Sequence, residues 1–384
     1  MNKTLLLSLC ATFTLFATQA PVTFDKTFGG NEDDVAKAVI KTNDGYLIAG
    51  KSKSFSSNRD YDAYIIKIDK NGKKVWSKVY GGEDDDEANA ITAYDKGFVF
   101  VGSTESYGND NLSYYFVKLD AQGESEWQKS YFRGERDYYF GNDIVADGKE
   151  LLIAGSERHL TFMSAKINPL LFKIDVEGDM LWRTYVIGKD EDRAKSVIST
   201  NDGYVMAGMT ETYGFGDFDS YLVKLDKSGK KLWFKTFGGK DDEIAEDIIA
   251  TDDGYILVGS TDSFGLNYKN VYIIRTDKDG KKLWERTYGG NYDDEGFAIV
   301  KAPDGGYVVA GKTQTRRNGT DLYLIKIDEK GKLKWERTYG GKEDDSAYDI
   351  VATDDGYLIV GTKQPDLTRY NDVWVLKVDL KGKL

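Results

Sequence analysis

Cysteine occurs once in 384 residues, at position 10, and histidine once, at position 159. With Cys10 inside an apolar leader, the rest of the chain can form no disulfide and offers no thiolate ligand or redox pair. A lone His159 cannot build a histidine-rich metal site, and a catalytic dyad would need an acidic or tyrosine partner that the sequence does not place beside it; it reads as a surface-loop residue. Lys and Arg are outnumbered, 52 against 64 Asp and Glu. The resulting charge of -12 and pI near 4.9 argue against a nucleic-acid footprint or charge-driven binding to an anionic membrane. No nucleophile elbow, zinc motif or phosphate-binding loop is present. The one apolar run, Leu5 to Phe16, is too short to span a bilayer comfortably. With Lys3 before it and Ala17 and Ala20 after it, this run predicts a secretory signal peptide over residues 1–20 and a periplasmic or extracellular address.

What is abundant is repetition. The phrase WSKVYGGEDDDEA returns with variation to WERTYGGKEDDSA, and FDKTFGGNEDDVA precedes all the copies. The markers Gly29, Gly81, Arg133, Ile187, Gly238, Gly289 and Gly340 are spaced 52, 52, 54, 51, 51 and 51 residues apart. A fixed period near fifty is the signature of one supersecondary unit copied around a ring. In the first unit, turn-bounded β-rich segments predict strands at about 35–42, 46–52, 63–69 and 73–80. Asp-Gly pairs such as Asp44-Gly45 and Asp202-Gly203 suit the first hairpin, and Asp-x-x-Gly, from Asp69 and Gly72 to Asp379 and Gly382, suits the last. With no helical crossover, the units predict an all-β, seven-bladed β-propeller of four-stranded antiparallel blades occupying residues 21–384 as one domain.

The seventh copy ends at Leu384, short of the strand that elsewhere carries Trp76, Trp127, Trp182, Trp233, Trp284 or Trp335. Phe24 stands at the tryptophan position, so the segment 22–28 is expected to supply the missing outer strand and close the ring. These seven aromatics are the expected blade-packing residues. Lys26, Lys78 and their counterparts, two residues on, read as charges that guard the outer strands against sheet-to-sheet association.

The unit W-x-x-x-[YF]-G-G-x-x-D-D-x-A followed by D-G-Y-x-x-x-G-x-T resembles the seven-bladed β-propeller repeats of secreted bacterial proteins. The segment IDKNGKKVW is also similar to the tryptophan-docking motif of quinoprotein-like propellers, which implies that the tryptophan packs between blades. The likeness does not extend to the eighth blade, the cofactor and calcium pocket or the vicinal cysteine pair expected of a quinone-dependent dehydrogenase.

Two features carry functional potential. An acidic pair follows each diglycine, where the chain enters the innermost strand. Either the pairs cap their turns, or they gather at one channel mouth and attract Ca2+. On the second reading Asp34, Asp86, Asp192, Glu243, Asp294 and Asp345 are the candidate metal ligands, and Ca2+ is the one candidate cofactor. The long loops between second and third strands open on the same face and place Tyr107, Tyr213, Phe215, Phe218, Phe264 and Tyr268 among Asp and Asn, a mixture suited to a protein or glycan ligand. The third unit departs most, with Arg133 breaking its diglycine and Asp137 and Tyr138 falling by count at the pair positions. The expected protein is an exported, monomeric, non-enzymatic binding or scaffold propeller. A calcium-dependent hydrolase or lyase with carboxylates at the channel mouth and an outer-membrane assembly scaffold are the alternatives.

Overall fold

In a computed structural model of the chain, each unit folds as a meander. Residues 20–108, 111–132, 137–160, 165–186, 188, 190–265, 268–314, 319–365 and 369–384 are described. The leader with Cys10, and the repeat markers Arg133 and Ile187, lie outside them. Blade 1 comprises Asp34–Lys41, Gly45–Ser52, Asp62–Asp69 and Lys74–Tyr80, within about a residue of the pattern-based expectation. The second and third strands are almost wholly buried, while the outer strand carries its charges outward. Such continuous burial is what strands sandwiched between neighbouring blades require.

Among the described residues there are seven antiparallel four-stranded sheets. Blade 7 takes Asp345–Thr353, Gly356–Lys363 and Asp372–Asp379 from the end of the chain and Phe24–Phe28 from its start. Phe24 pairs with Lys377 and Phe28 with Val373, so the two ends of the chain share one sheet. The core is divided into seven clusters, one per seam. Leu47, Ala49 and Ile65 of blade 1, for example, pack with Phe100, Tyr115 and Val117 of blade 2.

The seven predicted packing aromatics sit at equivalent places. Trp76, Trp127, Trp182, Trp233, Trp284 and Trp335 each lie over the glycine of the Asp-x-x-Gly turn in the following blade, namely Gly123, Gly178, Gly229, Gly280, Gly331 and Gly382. Phe24 lies over Gly72 in the same way and completes the circle. The tyrosine four residues after the tryptophan reinforces several seams: the Tyr80 hydroxyl donates to the Gly123 carbonyl at 2.6 Å, and Tyr131, Tyr288 and Tyr339 make the matching bonds.

Candidate binding face

The two members of each acidic pair do different work. The second member starts the inner strand and is buried. Asp34 Oδ2 accepts the Gly30 N–H at 2.9 Å and the Ser54 hydroxyl at 2.7 Å, while Ser52 on the neighbouring strand donates to Oδ1. Asp86 takes the Gly82 N–H and the Ser106 hydroxyl, and Glu243 the Gly239 N–H and Thr261 hydroxyl. Asp294 and Asp345 cap Gly290 and Gly341, and Asp192 binds Thr210 and Thr212. The first member reaches across the seam instead. Asp33, Asp85, Asp242, Asp293 and Asp344 accept the N–H of Asn371, Tyr61, Phe218, Lys269 and Thr320 in the preceding blade. The dyad is thus a turn cap joined to an inter-blade clasp.

The six candidate metal ligands are therefore held one per blade and are not brought together. Among the described residues no group of three or more His, Cys, Asp or Glu side chains is placed to hold a metal ion. The strand-3 entrance faces some of these acids with another. A Cβ on Gly81 would stand 2.1 Å from Asp62 Oδ1 and 2.5 Å from Asp86 Oδ2, which is why the loop between them needs glycine. In blade 7, burial pushes the Asp345 carboxyl up to about 6, with the charge of Asp321 adding to it.

Blade 3 corrects two sequence expectations. Counting from the diglycine put Asp137 and Tyr138 at the pair positions. The register instead places Tyr139 where the other blades have their buried acid: its N–H bonds to Leu112 O as the Asp86 N–H bonds to Tyr61 O. His159 is on a strand, Glu150–Leu160, and not in a surface loop. Its Nδ1 lies 3.0 Å from Asp137 Oδ1 and its Nε2 lies 3.5 Å from Glu157 Oε2, so it does have acidic partners. With a carboxylate beside each nitrogen, the ring is a bridge between strands.

The aromatic candidates divide. Tyr107 folds inward, its hydroxyl donating to Gly81 O at 2.6 Å and its ring 5.6 Å from Tyr115. Phe264 packs likewise on Tyr272. Phe218 is half-buried. Tyr213, Phe215 and Tyr268 are the outward ones, at 48%, 93% and 47% exposure. Asp217 and Asp241 are exposed beside them, which makes the loops of blades 4 and 5 the acidic, aromatic part of this face.

Two sets of charged residues escaped sequence reasoning. On the other face, a cation on each third strand, buried in every blade but the second, reaches the first hairpin of its own blade. Lys67 reaches Asp44 at 2.5 Å, Lys224 reaches Asp202 at 2.6 Å and Lys377 reaches Asp355 at 2.7 Å, and Arg275 pairs with Asp253. The fixed Lys-x-Asp spacing before the Asp-x-x-Gly turn was the available signal. On the inner strands, Asp143, Asp247 and Asp349 each accept a backbone N–H from the next blade, from Val197, Ile299 and Val39 at 2.8, 2.9 and 2.7 Å. Ser196 bridges two of them, donating toward Asp247 Oδ1 at 2.9 Å and lying 3.1 Å from Asp143 Oδ2. Burial pushes Asp247 up to about 7 and Asp349 up to about 8, with the charge of Asp143 adding to the first shift and those of Asp247 and Asp143 to the second.

No helix among the described residues is long and apolar enough to cross a membrane. The chain is 23% identical over 288 residues to the regulatory protein FlaEY of Caulobacter vibrioides; the match covers 68% of this chain and spans 29% of that protein's length. Among solved structures, extracellular domains 1-2 of Drosophila Semaphorin 1a superpose with a TM-score of 0.52 at 11% identity, covering 94% of this chain and 88% of that one, a likeness of fold alone. A family model described as "Outer membrane protein assembly factor BamB" matches residues 61–378. With that match running through all seven blades, the chain belongs to the outer membrane protein assembly factor BamB family.

Proposed function

We propose that this protein works, after export under its N-terminal leader, as a non-enzymatic scaffold that holds a protein or glycan ligand on the loop face of blades 4 and 5. The observation that carries the reading is the exposure of Phe215, with Tyr213 on the same loop and Tyr268 on the corresponding loop of the next blade, on loops whose bases are fixed by the acidic clasps. Rigidly based aromatics lose little entropy on contact and supply the anchors that dominate binding energy. The family match supports a protein as the ligand, and an outer-membrane assembly partner is its most specific form.

A photo-crosslinking residue placed at position 215 in cells, with one at Asp279 on the opposite face as control, tests the assignment. Discrete adducts from 215 that disappear when Tyr213 and Tyr268 are changed to Ala support it. Adducts arising only from position 279 refute the choice of face.

A further inference from the structure

Blade 3 breaks the repeat; unpaired buried polar atoms occur in other blades too, at Tyr64, Asp86 and Tyr221 for instance, but here two of them belong to residues that line one cavity. In the other blades the buried acid is on the inner strand, and in five of them a Ser or Thr stands opposite it, as in Asp86–Thr104 and Asp192–Thr210. In blade 3 Tyr139 stands opposite Glu157, so the carboxylate has moved to the second strand. Glu157 is wholly buried, and its Oε2 accepts the Tyr185 hydroxyl at 2.6 Å. Its Oε1 makes no hydrogen bond, the Arg183 guanidinium standing 3.9 Å away. Across the seam, the buried Tyr114 hydroxyl of blade 2 also lacks a hydrogen-bond partner. Tyr114, Glu157 and Arg183 line one cavity of about 270 Å³, and its other walls come from Tyr131, Phe132, Tyr139 and Met180.

We propose that this seam binds a single neutral, hydroxyl-bearing ring of monosaccharide size. A buried acceptor and a buried phenol left unpaired are each costly, and a ligand that both donates and accepts relieves them together. The adjacent charges of Glu157 and Arg183 offset each other, so the cavity selects neither a cation nor an anion. The aromatic walls match the flat C–H face of a pyranose, and because Glu157 Oε1 and the Tyr114 hydroxyl are covered, small side-chain shifts on binding bring them, with the Arg183 guanidinium, to its rim hydroxyls. The volume lies at the small end of ligand cavities, enough for one ring and too small for an extended oligosaccharide. A water alone could meet the polar atoms but would leave the apolar walls unfilled. The site is separate from the loop face of blades 4 and 5 and does not depend on it.

Saturation-transfer NMR on the purified protein with glucose, galactose, mannose and N-acetylglucosamine, followed by calorimetric titration of the best binder, tests the proposal. Glucosamine and glucuronate serve as charged counterparts. The expected result is saturable binding of at least one neutral sugar, weakened about tenfold or more by Glu157→Gln and by Tyr114→Phe. Tyr114→Phe keeps the ring packing and decides the matter alone if Glu157→Gln fails to fold. Silence across the neutral panel, unchanged binding in a folded Tyr114→Phe, or tighter binding of glucosamine or glucuronate would each overturn it.

Discussion

The indole of Trp76 in blade 1 covers Gly123 in blade 2 so closely that a Cβ there would lie 2.7 Å from its Cη2. Gly123 also has φ +77°, which disfavours any side chain. Both costs fall on Gly123→Ala, which is expected to lose about 3–4 kcal/mol. Gly148→Ala isolates the backbone cost, because Gly148 has φ +68° with nothing within 4 Å of a Cβ, and it should lose about 1–2 kcal/mol. Urea midpoints for the two variants measure the difference. Equal losses would mean that the tryptophan does not lock the seam.

Such seams explain how far the sequence could be read. The period, the strands of blade 1 and the aromatic at each docking position are local patterns that recur along the chain, and they were legible residue by residue. The division of labour within an acidic pair was not. Asp33 and Asp34 are adjacent in sequence, yet one binds Asn371 of blade 7 and the other Gly30 and Ser54, a choice made by packing between blades. Blade 3 misled for a related reason: counting from the diglycine assumes a loop of constant length, and the register there puts Tyr139 in the acid's place. Trp374, outside the docking series, was equally silent until its Nε1 was found donating to Asp25 at 2.6 Å.

That Trp374–Asp25 bond belongs to the closure of the ring. Phe24 is 9% exposed, and Val22 N–H donates to Asp355 Oδ2 at 2.8 Å. Phe24→Ala is expected to cost about 3–5 kcal/mol, in the range for a buried phenylalanine. Deleting residues 21–28 should cost more, since it also bares the pairing edge of the strand Asp372–Asp379. Thermal unfolding of the deletion within about 2 °C of the full protein would contradict closure by these residues.

Calcium offers a sharp contrast between the two readings of the acidic pairs. The ion asks for six to eight oxygens around one point. Asp34, Asp86, Asp192, Glu243, Asp294 and Asp345 instead stand in separate blades, bound to N–H and hydroxyl donors. Millimolar Ca2+ should therefore move the unfolding midpoint no more than Mg2+ does relative to EDTA, while Asp34→Ala should destabilise by about 2–3 kcal/mol through its orphaned donors. A saturable, calcium-selective rise in midpoint would restore these carboxylates as ligands.

The buried inner-strand carboxylates of Asp247 and Asp349 predict an uncommon pH dependence. Burial raises Asp247 to about 7 and Asp349 to about 8, whereas an unfolded chain releases these protons near pH 4. Between about pH 4 and pH 8 the native ring therefore holds protons that the unfolded chain has lost, and stability falls as pH rises. Each group contributes on the order of 4–6 kcal/mol that is fully present below about pH 4, is lost progressively as pH rises, and is gone above its folded value. Asp355 works in the opposite sense. Burial raises it, but the bonds from Lys377, Val22 and Thr353 more than reverse this and bring it down to about 2. Its contribution is present above about pH 4 and is lost as pH falls toward 2, so the three groups together favour the folded ring most near pH 4. Urea unfolding at pH 5 and pH 8 should show the wild-type protein weaker at pH 8, and Asp247→Asn with Asp349→Asn should shrink the difference to the share left by Asp345, because the amides keep the shape without titrating. An equal slope in that double variant would assign the pH dependence to other groups.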